Sequence, residues 1–432
     1  MIARLKALND RPRLVALLMA FAALVLFAVH LDRPGKLMFD EVHYVPAARA
    51  LLTLEGPRNI EHPLVGKAMI AAGMALFGDN PVGWRAAAVL AGAASVAGVF
   101  ALAWLLTGRM RESVIAGLLA MLNQTLFVQA RTGMLDVFLG ALLVWAIVLL
   151  LAAMRAPPGK VAARWIGGAA LMGLAVGVKW AALPYLAAAG LVFVLVRMAD
   201  ARAARRGIAG VLARTGQPHW PGLATIPALV LLGGVAAAAY FASFAPAFFY
   251  ARDPLTLGGL IPLQGEMYAL QTQRLPPHNY QSSWWSWPLM LRPIWFFYEP
   301  DAGVQRGVLL LGNPAVMWGG LVAVAECLML GLRGRDRPAL AIGLLWVFSV
   351  AIFAIIPKSL GFYYYYHASG LFLCVALAVA FARRPQARAR GWDEWFVFAA
   401  LMLFVYFYPI LAASPLPDAG AFARWTWFPG WR

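Results

Sequence analysis

The chain has 432 residues, 62% of them hydrophobic and 13% charged, with a formal net charge of +17. So large an apolar share excludes a soluble globular enzyme and places the chain among polytopic membrane proteins. The surplus positive charge sits largely in short loops between apolar runs, where it sets topology and meets membrane-lipid headgroups, so nucleic acid is not the partner.

Apolar runs of roughly the 17–25 residues needed to cross a bilayer lie at 14–31, 84–106, 113–129, 135–153, 165–178, 180–197, 222–243, 308–332, 338–356, 363–382 and 395–413. They predict an all-α fold of about eleven transmembrane helices. The first run has a basic flank (Arg4, Lys6, Arg11, Arg13) and is followed by LDRPGKLMFDE, with no small-residue cleavage pattern; it reads as a retained signal anchor. With the N-terminus inside, more than half of the 36 Lys and Arg fall in cytoplasmic segments, while most of the 19 acids fall outside. This bias predicts a cytoplasmic N-terminus and a periplasmic or extracellular C-terminus. Cys327 and Cys374 fall inside predicted spans, so no disulfide framework is expected.

Two outer segments, 32–83 and 244–307, are too long to be simple connections. In the first, EVHYVPAARALLTLEG places Val42, Val45, Ala48, Leu51 and Leu52 at helical spacing before a stop at Gly56, which predicts a short interfacial helix. PLVGKAMIAAGMALFGDNP is apolar over too short a stretch to span, and reads as a second interfacial or re-entrant helix. The second outer segment, rich in Pro, Trp and Tyr, reads as an irregular cap on the membrane. No internal repeat is visible, which weighs against an inverted-repeat transporter or lipid flippase.

Ionisable groups at membrane level are expensive to keep. On the outer side they are Asp40, Glu41, His62, Lys67, Arg85, Arg131, Asp136, Lys179 and Lys358. Lys36, Lys67, Lys179 and Lys358 stand where the positive-inside tendency disfavours them, which suggests an anionic partner on that face. Paired carboxylates beside cations suit group transfer from a phosphate. One carboxylate accepts the proton of an incoming hydroxyl while Lys and Arg stabilise charge on the leaving phosphate. Each residue also has a plainer reading. Asp40 and Glu41 match a helix N-cap with a first-turn acid, His62 a turn before a helix that opens at Pro63, Lys179 a turn cation and Lys358 an interface anchor beside tyrosines. Glu326, toward the cytoplasmic side, reads as hydrogen-bonded within the bundle.

Together these stretches resemble the protein O-mannosyltransferase family, polytopic inverting glycosyltransferases of the GT-C class that use a polyprenyl- or dolichyl-phosphate sugar. FDEVHY is similar to the family's first-loop Asp-Glu motif, whose Asp is the proposed base, and maps to Asp40 and Glu41. EHPLVGK resembles its His-Pro-Pro-x-x-x-Lys element through His62, Pro63 and Lys67, with Leu64 in place of the second Pro. GWRAAAVLAGA (Arg85), ARTGMLDVFL (Arg131, Asp136) and GLAVGVKWAAL (Lys179) follow in the family's order. SSWWSWPLMLRPIWFFYE, LLLGNPAVMWGG and GFYYYYHASGLFLC resemble its C-terminal four-span region. The likeness covers roughly residues 35–385. The soluble domain that eukaryotic members insert in the second large loop is replaced here by the PPHNYQ region, as in a compact bacterial form.

The resemblance implies one integrated membrane domain. It would comprise a catalytic module over 1–243 including the outer loop 32–83, a large outer loop over 244–307, and a four-span region with outer tail over 308–432. It implies transfer of mannose or a related hexose from a polyprenyl-phosphate donor to Ser or Thr hydroxyls of proteins on the outer side of a bacterial inner membrane. Asp40 and Glu41 are the expected catalytic residues, with His62, Lys67, Arg85, Arg131, Asp136, Lys179 and Lys358 expected to bind donor or acceptor. No required cofactor is expected, although Asp40 and Glu41 would be the ligands if Mg²⁺ or Mn²⁺ were used. A GT-C transferase that modifies lipid A or another glycan would share the acidic loop and the donor.

Overall fold

The computed structural model describes residues 10–432; Arg4 and Lys6 of the basic flank lie outside them. In chain order the first helices are α1 (Pro12–Ala28), α2 (Glu41–Leu52), α3 (Val65–Phe77), α4 (Pro81–Thr107), α5 (Met110–Met121) and α6 (Gln124–Gln129). Next come α7 (Leu135–Met154), α8 (Pro158–Val178), α9 (Leu183–Ala203), α10 (Gly207–Leu212), α11 (Thr225–Ala242) and α12 (Leu260–Thr272). A hairpin of β1 (Ile294–Asp301) and β2 (Val304–Leu310) precedes α13 (Pro314–Gly334), α14 (Arg337–Ala351), α15 (His367–Ala382), α16 (Pro385–Ala389) and α17 (Trp392–Phe407).

Among the described residues nine helices, some lengthened by a flanking 3-10 turn, are long and apolar enough to cross a bilayer: α4, α7, α8, α9, α11, α13, α14, α15 and α17. The chain is therefore a predominantly helical polytopic membrane protein. Burial sorts these helices. The span containing α15 is 89% buried and forms the axis, against 22% for the span containing α9, whose Leu191, Val192 and Leu195 are left for lipid. Close helix contact depends on small residues: a Cβ at Gly173 of α8 would collide with the carbonyl oxygen of Ala236 in α11. Helix starts carry the expected chemistry. Asn80, Asn313 and Asp336 each accept a backbone N–H at the head of α4, α13 and α14, with Pro in the first turn.

Two expectations change, and a third, a hydrogen-bonded Glu326, holds. The run 113–129 is broken between α5 and α6, where Asn123 caps α6 by accepting from Thr125 N at 3.1 Å and Asn313 donates to the freed carbonyl of Leu122 at 3.0 Å. The outer segment 244–307 is more ordered than an irregular cap. It contains α12 and most of an antiparallel hairpin whose turn places Ala302 and Gly303 at positive φ, and β2 takes residues 308–310 from the expected start of the next span. Glu326 pairs with Arg384, and so joins an ion-pair belt with Arg111–Asp393, Arg383–Asp336 and Arg388–Glu112 that ties α5, α13, α14, α16 and α17 at one end of the bundle.

Candidate active site

Asp40 sits at the N-cap position of α2, but its side chain makes no capping bond. Glu41 does the local fastening instead, accepting from Met38 N at 2.8 Å. Adjacent helical residues point about 100° apart, from 3.6 residues per turn, so the two acids face different surroundings. Glu41 is fully buried against Arg85, with Nε to Oε1 and Nη2 to Oε2 both at 2.9 Å, and also accepts from Gly133 N at 2.7 Å. Asp40 lines a cavity, where Tyr44, one turn along α2, donates to its Oδ2 at 3.4 Å. The expected apolar face of α2 is rotated: Val45, Ala48 and Leu51 are buried, while Val42 and Leu52 are exposed.

The loop before α3 is held from within. Lys67, buried in the first turn of α3, donates to the carbonyls of Asn59 and His62 at 2.7 Å and of Arg58 at 3.3 Å. Those three bonds saturate its ammonium. The His62 ring stands edge-on to Tyr44, centroids 5.9 Å apart, and its buried Nδ1 has no partner. Burial, then the cations Lys179, Lys358 and Lys67, hold its imidazole well below the usual histidine range, so it is neutral at pH 7.

Across from this loop, Lys179 enters from the turn between α8 and α9 and donates to Asp136 Oδ2, at the head of α7, at 2.6 Å. Its ammonium also lies 4.9 Å from the ring centre of Tyr364 and 5.4 Å from that of Tyr365. Lys358 donates to Tyr365 Oη at 3.1 Å. Burial opposes its charge, but Tyr365, Asp136 and Asp40 outweigh that and hold it above the ordinary lysine range. For Asp40 the balance runs the other way: burial raises its carboxyl above the usual range, Lys179 and His43 pull against the rise, and Asp136 adds to it.

Three cavities meet here. One of about 230 Å³ is lined by Asp40, Tyr44, His62, Lys358, Tyr364 and Tyr365, among others. A second, about 360 Å³, runs between Leu183, Pro184 and Ala187 of α9 and the residues after α14, with Lys179 and Lys358 at its wall. The third, about 650 Å³, lies under the outer-loop segments beside Lys67. His62 lines all three. The structure thus brings together Asp40, His62, Asp136, Lys179 and Lys358 from the expected set.

The other four expected residues have structural partners. Glu41 is not a second free acid. Arg85 spends its remaining donors on the carbonyls of Leu31, Pro34 and Lys36, which leaves none for a phosphate, and Arg131 gives three of its N–H groups to the carbonyls of Phe27, Val29 and His30 at the end of α1, a structural role. Lys67 is likewise committed to its loop. Nor do Asp40 and Glu41 make a metal-ligand pair, because both oxygens of Glu41 are occupied. Among the described residues no group of three His, Cys, Asp or Glu comes together. Sequence reasoning missed Tyr44, Tyr364 and Tyr365 as site residues; the run GFYYYYH was read as an interface belt, yet Tyr363, Tyr364 and Tyr366 are buried.

Two models of one family match the chain: "Dolichyl-phosphate-mannose-protein mannosyltransferase" over residues 61–213, and "C-terminal four TMM region of protein-O-mannosyltransferase" over 256–431. A polyprenol-phosphate-mannose–protein mannosyltransferase of Mycolicibacterium smegmatis (strain MKD8) is 27% identical, covering 97% of this chain and 92% of its own. One of the same name from Corynebacterium glutamicum is 27% identical over 92% of this chain and 89% of its own. Among solved structures, the S. cerevisiae protein O-mannosyltransferase Pmt1–Pmt2 complex, bound to its sugar donor, superposes with a TM-score of 0.78 at 13% identity, covering 98% of this chain and 93% of the matched one. ArnT from Cupriavidus metallidurans, bound to undecaprenyl phosphate, gives 0.57 at 16% identity over 91% of this chain and 70% of its own. On sequence and fold together, the chain belongs to the protein O-mannosyltransferase family and has a GT-C membrane fold.

Proposed function

We propose that this protein transfers mannose from a polyprenyl-phosphate donor to Ser or Thr hydroxyls of proteins, with inversion at the sugar carbon. The observation that carries this reading is the division of labour among the three acids at the site. Glu41 is neutralised by Arg85 and Asp136 by Lys179, which leaves Asp40 as the unpaired carboxylate facing a cavity shared with Lys358. In the transfer step the Asp40 carboxylate takes the hydroxyl proton as the acceptor oxygen bonds to the sugar C1. The bond from C1 to the phosphate oxygen breaks, and the polyprenyl phosphate leaves with the electron pair. Lys358 and Lys179 offset the charge that develops on it. Burial raises the Asp40 carboxyl above the ordinary Asp range, which makes its ionised form a stronger base than an ordinary carboxylate.

The cavity between α9 and the residues after α14 is the proposed seat of the donor's phosphate and first prenyl units, since it joins two lysines to apolar walls that face lipid. Counting α1 and the broken pair α5–α6 with the nine longer helices gives the proposed eleven crossings of a bacterial inner membrane, with the N-terminus inside and the site facing outward. The test is incubation of purified protein with labelled polyprenyl-phosphate mannose, a Thr-bearing peptide and a membrane-lipid extract. Label is expected in the peptide, and label confined to the lipid fraction would replace protein by lipid or glycan as the acceptor.

A further inference from the structure

The largest of the three cavities has no part in the chemistry above. Its walls come from outer-loop segments: Pro57–Leu64, the turn after α11, residues 253–259, and the inner side of α12. It is largely apolar, through Ile60, Phe244, Tyr250, Leu263 and Met267 among others, and four charged residues line it. Two of these are spoken for: Arg58 pairs with Glu55 at 3.7 Å, and the Lys67 ammonium is taken up by three carbonyls. Asp253 and Glu266 are exposed and have no ion-pair partner among the described residues. Arg252, next to Asp253, instead joins Arg58 on Glu55.

His62 lines both this cavity and the one that contains Asp40, so the two lie side by side. The proposed donor seat is the separate cavity walled by Lys179 and Lys358, so the loop-walled one is left for the other reactant. Its volume of about 650 Å³ falls in the ~300–1,000 Å³ range of sites that bury several linked groups. We propose that it holds the stretch of acceptor polypeptide beside the modified Ser or Thr, and that Asp253 and Glu266 favour a basic side chain in that stretch. This rests on the protein-acceptor reading above. Apolar side chains of the acceptor would pack against Phe244, Tyr250 and Leu263, while a Lys or Arg supplies the charge that the two carboxylates lack.

The experiment uses the purified full-length chain, labelled polyprenyl-phosphate mannose, and synthetic peptides with one Thr in an Ala/Gly background. Lys or Glu is placed in turn at each position on either side of the Thr, and the ratio of Lys-peptide to Glu-peptide transfer is measured at low salt. The expected ratio is roughly 1.5- to 5-fold in favour of Lys for each carboxylate, the range of solvent-exposed ion pairs. It should occur on one side of the Thr only and shrink at high ionic strength. In the double variant Asp253→Lys with Glu266→Lys the preference should invert. Both peptides see the same enzyme preparation, so a partly folded variant leaves the ratio unchanged. A ratio of one at every position, or one that survives the double reversal, overturns the proposal while label in peptide upholds the protein acceptor. Label that never enters peptide but enters lipid overturns both.

Discussion

Neutralising Asp40 and neutralising Glu41 should break this protein in opposite ways. Glu41→Gln removes one charge from a pair in which both side chains are fully buried, and leaves the Arg85 guanidinium without its counter-ion. Gln keeps one acceptor oxygen where Glu41 offered two to Arg85 Nε, Arg85 Nη2, Gly133 N and Met38 N. Its amide nitrogen then faces another donor. Breaking a buried pair from one side costs about 3–5 kcal/mol, and the stranded N–H belongs within that figure rather than on top of it. Asp40→Asn removes a charge that burial already disfavours. Its carboxyl is raised in the folded chain, so the stability it contributes is present below the unfolded pKa and is lost as pH rises through the folded one. At neutral pH the amide should therefore fold at least as stably as wild type. Turnover should fall by roughly 10²-fold or more as general-base work is lost. Thermal unfolding in detergent and labelled-mannose transfer, run on both variants, separate the two roles. A Glu41→Gln protein that melts like wild type yet fails to turn over would refute the structural assignment, as would an Asp40→Asn protein with near wild-type turnover.

Lys358→Met should raise the KM for the polyprenyl-phosphate donor by about tenfold or more, given the ~1.5–3 kcal/mol typical of a hydrogen bond to a charged group, and leave the peptide KM close to wild type in steady-state assays. The pH profile of kcat/KM should lose its acid limb at a pH above the ordinary Asp value of 3.8, because activity requires ionised Asp40 and its carboxyl is raised; a limb at or below that value argues against Asp40 as the base. Arg131→Gln should lower the unfolding temperature by freeing the last carbonyls of α1, with donor KM unchanged. Incubation with EDTA should leave transfer rates unchanged, since Glu41 has no oxygen to offer an ion; recovery of lost activity by added Mg²⁺ or Mn²⁺ would contradict that.

The membrane class and the positions of the long helices were legible because a bilayer demands long apolar runs, and such runs are read directly from composition. Asp40, His62, Asp136, Lys179 and Lys358 were legible because a charge kept at membrane level needs a reason. That same rule over-collected. It cannot tell a guanidinium kept for a phosphate from one kept to satisfy carbonyls, and Arg85 and Arg131 do the latter. Spacing did bear on Glu41, since neighbours on a helix diverge, but its partners Arg85 and Gly133 are 44 and 92 residues away in sequence. The hairpin had a signal in DAGV between IWFFYEP and QRGVLL, two apolar stretches around a turn, which was masked by the aromatic content expected of any membrane-surface segment. The tyrosines of GFYYYYH were hidden for the same reason.

The break between α5 and α6 has the outline of a hinge but the bonding of a corner bracket. Asn123 also donates to Gly370 O of α15 at 3.2 Å, and Asn313 spans from Leu122 O to Ala400 O of α17 at 3.0 and 2.9 Å. From this corner α6 leads to the turn at 130–133, where the Gly133 amide proton holds Glu41. The last third of the chain thus fixes where the first acidic loop can stand, and backbone amides at 122–125 should be among the slowest to exchange with deuterium. Whatever motion admits the substrates has to come from elsewhere than this corner.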